Sequence, residues 1–254
     1  MKVELKEVSV GYQTPLVEGA NALLESGDLV ALLGRNGAGK STLLRHLAGL
    51  LPLLSGTVLV GEQPIHQLSE SQRARLMSVV TTRRSRAPQL TAFEVVGLGR
   101  SPYTNRMGRL SNHDRAVVEE SLELVGISHL AHRYVSQISD GENQRVMIAR
   151  ALAQDTPVIL LDEPTAFLDL PNRYDLALLL KRLSSERQKV IVFSTHDLDV
   201  ALQLCNRIML IHDQRLTTLP TSEMKESQYI QQLFSSDQID FDPQSGAVHI
   251  RLND

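Results

Sequence analysis

Cysteine is almost missing from this 254-residue chain, Cys205 being the single example. One thiol excludes a disulfide scaffold and predicts a cytosolic protein. Cys205 lies beside Leu202 and Leu204 in a helical-looking stretch, so a small buried hydrophobe is its expected role. Nowhere do about 18 uninterrupted apolar residues occur, so no segment is expected to cross a membrane. The start, Met1-Lys2-Val3-Glu4-Leu5-Lys6-Glu7, has no apolar signal-peptide core. Action at a membrane would therefore need a spanning partner. Charge of one sign is also lacking: 26 Lys and Arg stand against 29 Asp and Glu, a net charge of −3. That balance leaves no electrostatic footprint for nucleic acid. Repeats and low-complexity segments are absent too. The 42% hydrophobic content nevertheless allows one large α/β unit with a substantial core.

What the chain does have is a complete G-x-x-x-x-G-K-S element, Gly34-Arg35-Asn36-Gly37-Ala38-Gly39-Lys40-Ser41-Thr42. It follows the apolar stretch Leu29-Val30-Ala31-Leu32-Leu33 and opens a helical-looking run from Ser41 to Leu51. Strand, loop and helix in that order are the context a phosphate-binding loop requires. Its glycines let successive backbone N–H groups and the helix N-terminus face phosphates. Lys40 is then placed to reach the β- and γ-phosphates, and the Ser41 hydroxyl to sit on Mg²⁺. The alternative, a Gly-rich turn before an ordinary helix, does not ask for the lysine and serine in register. The chain is expected to bind a nucleoside triphosphate, ATP, with Mg²⁺.

Strand-like segments fall at residues 1 to 11, 17 to 24, 57 to 60, 77 to 81, 158 to 161, 189 to 194 and 207 to 212. Between about 82 and 153 the pattern turns helical, over 92–99, 112–125 and 142–153. Helices are also expected at 69–77, 170–186, 198–204 and 222–234. A hairpin is expected between 239–242 and 247–252, turned at Pro243-Gln244-Ser245-Gly246. Strands alternating with helices imply a mainly parallel sheet. The expected organisation is one domain over 1–254. Residues 1–81 and 154–212 would form the nucleotide-binding core, 82–153 an inserted helical subdomain, and 213–254 a C-terminal extension.

Asp162-Glu163 ends the apolar strand Val158-Ile159-Leu160-Leu161, at the edge where parallel sheets bind ligands. Asp162 is suited to the Mg²⁺ coordination shell, and Glu163 to accepting a proton from an attacking water. A solvated acidic turn is the competing reading. His196 stands just beyond the strand ending at Ser194, where it could contact the γ-phosphate. His46, His66, His113, His129, His132, His212 and His249 are read as structural or surface residues.

These pieces together resemble the ATP-binding subunit of an ABC transporter, over nearly the whole chain. The most specific mark is Ile138-Ser139-Asp140-Gly141-Glu142 with the following Asn143-Gln144-Arg145-Val146-Met147-Ile148-Ala149-Arg150-Ala151-Leu152. It is similar to the family's signature sequence and helix. Leu161-Asp162-Glu163-Pro164-Thr165 resembles the second nucleotide motif, Ala166-Phe167-Leu168-Asp169 the D-loop, and His196 the switch histidine. Tyr12 matches the residue that stacks on adenine; without the resemblance it would read as strand packing. The resemblance implies a P-loop NTPase core with an N-terminal antiparallel β segment and an inserted helical subdomain. It also implies a homodimer in which Ser139 and Gly141 of one copy cap the γ-phosphate held by the other.

Two segments depart from the family pattern. Asp140 and Glu142 replace a glycine and a glutamine of the signature. A carboxylate about 10 Å from the phosphate would cost about 1–2 kcal/mol at an effective dielectric near 20. Arg145, three residues along the helix, is expected to offset part of that charge. Weaker closure with retained activity is the expectation. Thr82 stands where the family has a glutamine that reaches Mg²⁺, and Gln89 is out of register. Arg83, Arg84 and Arg86 read as a solvated loop.

The segment Leu90-Thr91-Ala92-Phe93-Glu94-Val95-Val96, with Gly99-Arg100-Ser101-Pro102-Tyr103, is similar to importers of iron chelates, haem and cobalamin. In that subgroup Glu94 lies in the groove that receives the membrane permease. A permease dimer and a periplasmic or surface binding protein complete the machine, and the cassette works at the cytoplasmic face of the cell membrane. An exporter or lipoprotein-releasing cassette, and a soluble ABC-type ATPase, are the alternatives. The latter usually carry coiled coils, twin cassettes or metal-binding cysteines, and none occurs here.

Overall fold

A computed structural model describes residues 1–81, 89–104, 108–166, 168–234, 239–242 and 247–250. Strands β1 (Lys2–Gly11) and β2 (Pro15–Glu25) lead into β3 (Leu29–Gly34) and helix α1 (Lys40–Leu47). Then come β4 (Ser55–Val60), β5 (Gln63–Pro64), α2 (Glu70–Leu76) and β6 (Met77–Val80). Helices α3 (Ala92–Gly97), α4 (Asn112–Leu124) and α5 (Asp140–Ala153) follow. The chain returns with β7 (Val158–Leu161), α6 (Leu170–Glu186), β8 (Val190–Ser194), α7 (Leu198–Leu204), β9 (Arg207–His212) and β10 (Arg215–Pro220). Its last described elements are α8 (Thr221–Glu226), α9 (Gln228–Phe234) and the hairpin β11 (Ile239–Asp242) with β12 (Ala247–Ile250).

Two sheets carry the architecture. One has the order β10-β9-β3-β8-β7-β6, parallel throughout except for the β9–β10 hairpin. The other is antiparallel, β2-β1-β4-β5. Central strand β3 shows how the sequence builds both cores, because alternate side chains leave opposite faces. Val30 and Leu32 pack with α1 and the antiparallel sheet, in a cluster with Leu5, Val58, Leu43 and Leu44. Leu29, Ala31 and Leu33 join the opposite cluster, with Val95 of α3, Val146 of α5 and Leu176 of α6. A strand buried on both faces must be apolar at every position, as β3 and β7 are.

Three expectations shift. The first helix stops at Leu47 rather than Leu51, because Gly49 turns left-handed at φ +66°. The expected helix 222–234 breaks at Ser227, whose extended backbone ends α8 and starts α9. Strand β10 lies inside the stretch assigned to the extension, yet it continues the central sheet. Its tight turn uses Asp213 and Gln214, both at positive φ. That turn type usually advertises itself by glycine, and here there is none. Residues 243–246, the expected hairpin turn, lie outside the described residues.

Candidate functional site

The register of the parallel sheet brings the C-terminal ends of β3, β7 and β8 side by side, since Leu32 pairs with Ser194 and Leu161 with Phe193. Everything that follows those ends in sequence therefore meets at one edge. Gly39 stands at the start of α1 with φ +100°, and a Cβ there would lie 3.0 Å from the Leu16 side chain. Only glycine fits without strain. No side chain caps this helix, so its leading N–H groups are left for a ligand.

Lys40 is 5% exposed and folds its ammonium back onto the loop, donating to the carbonyls of Gly34 at 2.8 Å and Arg35 at 3.3 Å. Burial lowers its pKa, and the nearby Glu163 and Asp162 carboxylates oppose that shift. A cation held this way gains from an incoming anion that desolvation now denies it.

Beside it runs a chain of hydrogen bonds. The Ser41 hydroxyl donates to Asp162 Oδ1 at 2.9 Å, and the Ser194 hydroxyl donates to the same oxygen at 2.9 Å. The backbone N–H of Glu163 donates to Ser194 Oγ at 2.8 Å, and His196 Nε2 lies 3.0 Å from Glu163 Oε1. Asp162 is 3% exposed and is pinned through its own N–H to the carbonyl of Val80. Glu163 takes a left-handed backbone, φ 47°, which a non-glycine residue adopts only where its surroundings enforce it. Ser194, fully buried, joins the site without belonging to any motif legible in the sequence. Its one signal was a hydroxyl ending an otherwise apolar strand.

Ser41 and Asp162 set two hard oxygen donors together, which suits Mg²⁺ with substrate phosphates completing its shell. Among the described residues no cluster of three His, Cys, Asp or Glu side chains could hold a metal alone. Thr82, the third expected metal contact, lies outside the described residues with Arg83, Arg84 and Arg86. Tyr12 is 59% exposed just beyond β1, so strand packing does not account for it. Cys205 is buried as expected, its thiol pushed up to about 12 by desolvation.

The Ser139 segment belongs to the helical region. Ser139 is the N-cap of α5, and Glu142 closes a capping box: its carboxylate accepts from the Ser139 N–H and hydroxyl, both at 2.8 Å. Those bonds lower the Glu142 pKa, so it stays ionised. Arg145 does not offset this charge. Its guanidinium turns to the carbonyl of Val125, at the end of α4, and to Asn172 Oδ1. The carbonyl at the end of α4 and the Asn172 amide oxygen together satisfy its donors where the fold places it. Asp169 caps α6 by accepting from the Asn172 N–H at 3.1 Å.

A family model described as "ABC transporter" matches residues 17–166. An uncharacterised ABC transporter ATP-binding protein of Methanocaldococcus jannaschii is 40% identical over 84% of this chain and 74% of its own length. The achromobactin transport ATP-binding protein of Dickeya dadantii is 37% identical over 82% of this chain and 78% of its own. Among solved structures, an inward-facing transporter described as of metal-chelate type matches with a TM-score of 0.81 and 28% identity, covering 97% of this chain and 95% of that one. A dimeric ATP-binding cassette bound to ADP and phosphate matches at 0.77 and 30%, covering 86% and 98%.

Proposed function

This chain belongs to the ABC transporter family, and from that premise we propose that it hydrolyses ATP to drive import of an iron chelate, haem or cobalamin through a separate membrane permease. The observation that carries the hydrolytic part is the unbroken chain Ser41–Asp162–Ser194–Glu163–His196 beside an uncapped helix start. The backbone N–H groups of residues 37–41 and Lys40 bind the phosphates. Ser41 and Asp162 would hold Mg²⁺, which supplies charge neutralisation at the transferred phosphoryl group. Glu163 orients the attacking water and takes its proton, with His196 fixing the carboxylate's direction. Tyr12 stacks on the base.

The import part rests on the names of the relatives and on a groove bordered by Phe93, Glu94, Leu98, Ser101 and Leu110. Among the described residues no helix is long and apolar enough to cross a membrane, so the span belongs to a partner. The cassette then acts at the cytoplasmic face of that membrane, with a binding protein delivering substrate on the far side. A second copy completes each site through Ser139 and Gly141, as the dimeric match supports. The helical unit 82–153, including α3 to α5, is the part proposed to move against the core.

Glu163→Gln tests the chemistry. ATP affinity should hold while hydrolysis falls by about two orders of magnitude or more. Hydrolysis equal to the parent's would remove Glu163 from this role.

A further inference from the structure

The Gly99-Arg100-Ser101-Pro102-Tyr103 segment has no place in the hydrolytic site, yet it is built with unusual economy of space. Gly99 touches α5 so closely that a Cβ would meet the Arg150 carbonyl at 2.3 Å. Arg100 is 4% exposed and donates from Nε to Asp114 Oδ1 at 2.9 Å, and from Nη1 to the Ala153 carbonyl at 2.9 Å. Asp114 closes the capping box of α4. The Tyr103 ring covers Arg100, with the guanidinium carbon 4.1 Å from its centroid. One short segment thus ties the end of α3 to the start of α4 and the end of α5.

From the core, α2 reaches across to it. Arg75, on α2, donates from Nε and Nη2 to the Pro102 carbonyl at 3.2 and 2.9 Å, and its guanidinium carbon lies over the Tyr103 ring, 5.6 Å from the centroid. Helix α2 runs into β6 without a loop, and β6 ends at Val80, whose carbonyl holds the Asp162 N–H at 2.8 Å. A continuous path of bonds therefore joins Asp162 to α3 and its groove. Gln154 makes a neighbouring link, from the end of α5 to the carbonyls of Ala74 and Met77, but it reaches the groove only through α5.

We infer that Arg75 is a positioning residue that transmits the nucleotide state of the Asp162 site to α3, by clamping the Pro102 carbonyl and the Tyr103 ring. The inference rests on the ATPase reading above and adds the route by which that site reports to the groove. Arg75 is exposed and outside the proposed site, so Arg75→Ala should fold and bind ATP like the parent.

The test measures amide hydrogen exchange across residues 91–98 with and without Mg–ATP, with nucleotide affinity measured separately. In the parent, nucleotide should change exchange there by about fivefold or more, the lower range for coupled sites. Arg75→Ala and Tyr103→Leu should lose most of that response at unchanged affinity, and Arg75→Lys, which keeps one donor to Pro102, should regain part. A parent that binds ATP without any response at 91–98, or an Arg75→Ala chain that responds like the parent, overturns the inference. A parent that binds no ATP would overturn both this route and the ATPase reading beneath it.

Discussion

Helices α1 and α5 both start at a glycine-containing turn, and both are expected to face phosphate, but they start in opposite states. Helix α1 begins at left-handed Gly39 with no side-chain cap and no acidic residue in its first turn. Helix α5 begins at Ser139 with a closed capping box and two acidic residues, Asp140 and Glu142, in that turn. Three of its neighbours, α2, α3 and α4, carry the same box through Ser69–Gln72, Thr91–Glu94 and Ser111–Asp114. A capped start is thus the ordinary way this chain stabilises a helix, worth about 1 kcal/mol each. At α1, where the cap is withheld, the leading N–H groups are free of side-chain partners. The two halves of the proposed shared site differ accordingly: one is open to anions, the other already satisfied and negatively charged.

The largest expected effect would break the capped side from beneath. Asp114→Asn can keep hydrogen bonds to Ser111 but leaves Arg100 buried without its counter-charge, a loss of about 3–5 kcal/mol of stability. The Asp114 carboxyl is held at about 2, below its usual 3.8, first by its bonds to Ser111 and then by Arg100. A depressed carboxylate contributes stability that is present above its unfolded pKa and lost as pH falls through the folded one. The parent should therefore weaken between about pH 4 and 2, and urea titrations of the variant should lack that component.

Next comes the uncapped side. Lys40→Ala removes a charged donor from the open helix start, and ATP affinity should drop about a hundredfold in an equilibrium binding assay. Stability should change little or rise, because a buried cation whose charge is disfavoured by desolvation is deleted. Tyr12→Ala is a smaller blow to the same half: losing base stacking should cost about 1–3 kcal/mol of ATP binding, while inorganic triphosphate binds as before. Equal losses for both ligands would take Tyr12 off the base.

The smallest expected effect sharpens the comparison most. Glu142→Gln preserves the capping box, since glutamine serves at that position, and deletes the charge. In a Glu163→Gln background, Mg–ATP-driven dimerisation should tighten about tenfold if the carboxylate sits about 10 Å from the partner's phosphate. Light scattering across a concentration series reads this directly. An unchanged dimer constant would place Glu142 away from the nucleotide.

Legibility in the sequence followed how local each feature is. The loop at 34–42 declares itself because its chemistry needs contiguous residues, and Asp162 and Glu163 because an apolar strand must end where they stand. The box at Ser139 is equally contiguous, and its residues also match the family's signature segment. Ser194 was hidden because its role exists only once β7 and β8 lie side by side. Arg145 misled for the same reason: helical spacing aimed it at Glu142, while tertiary packing offered the end of α4. Strand β10 escaped because Asp213 and Gln214 adopt positive φ without the glycine that usually marks such a turn.

The position of β3 also has a consequence for how the protein is made. This strand, which carries the phosphate loop, is flanked by β8 and β9 and by no strand that precedes them in the chain. The loop leaves the ribosome before both of its supporting neighbours, which are synthesised after residue 189. Such distant pairings fold slowly, because the loop they close must be ordered first. A nascent or truncated chain that ends before Val190 would therefore display Gly34 to Thr42 on an unsupported strand, with bare apolar edges and no grip on nucleotide. The proposed grip on ATP thus waits for the synthesis of β8 and β9.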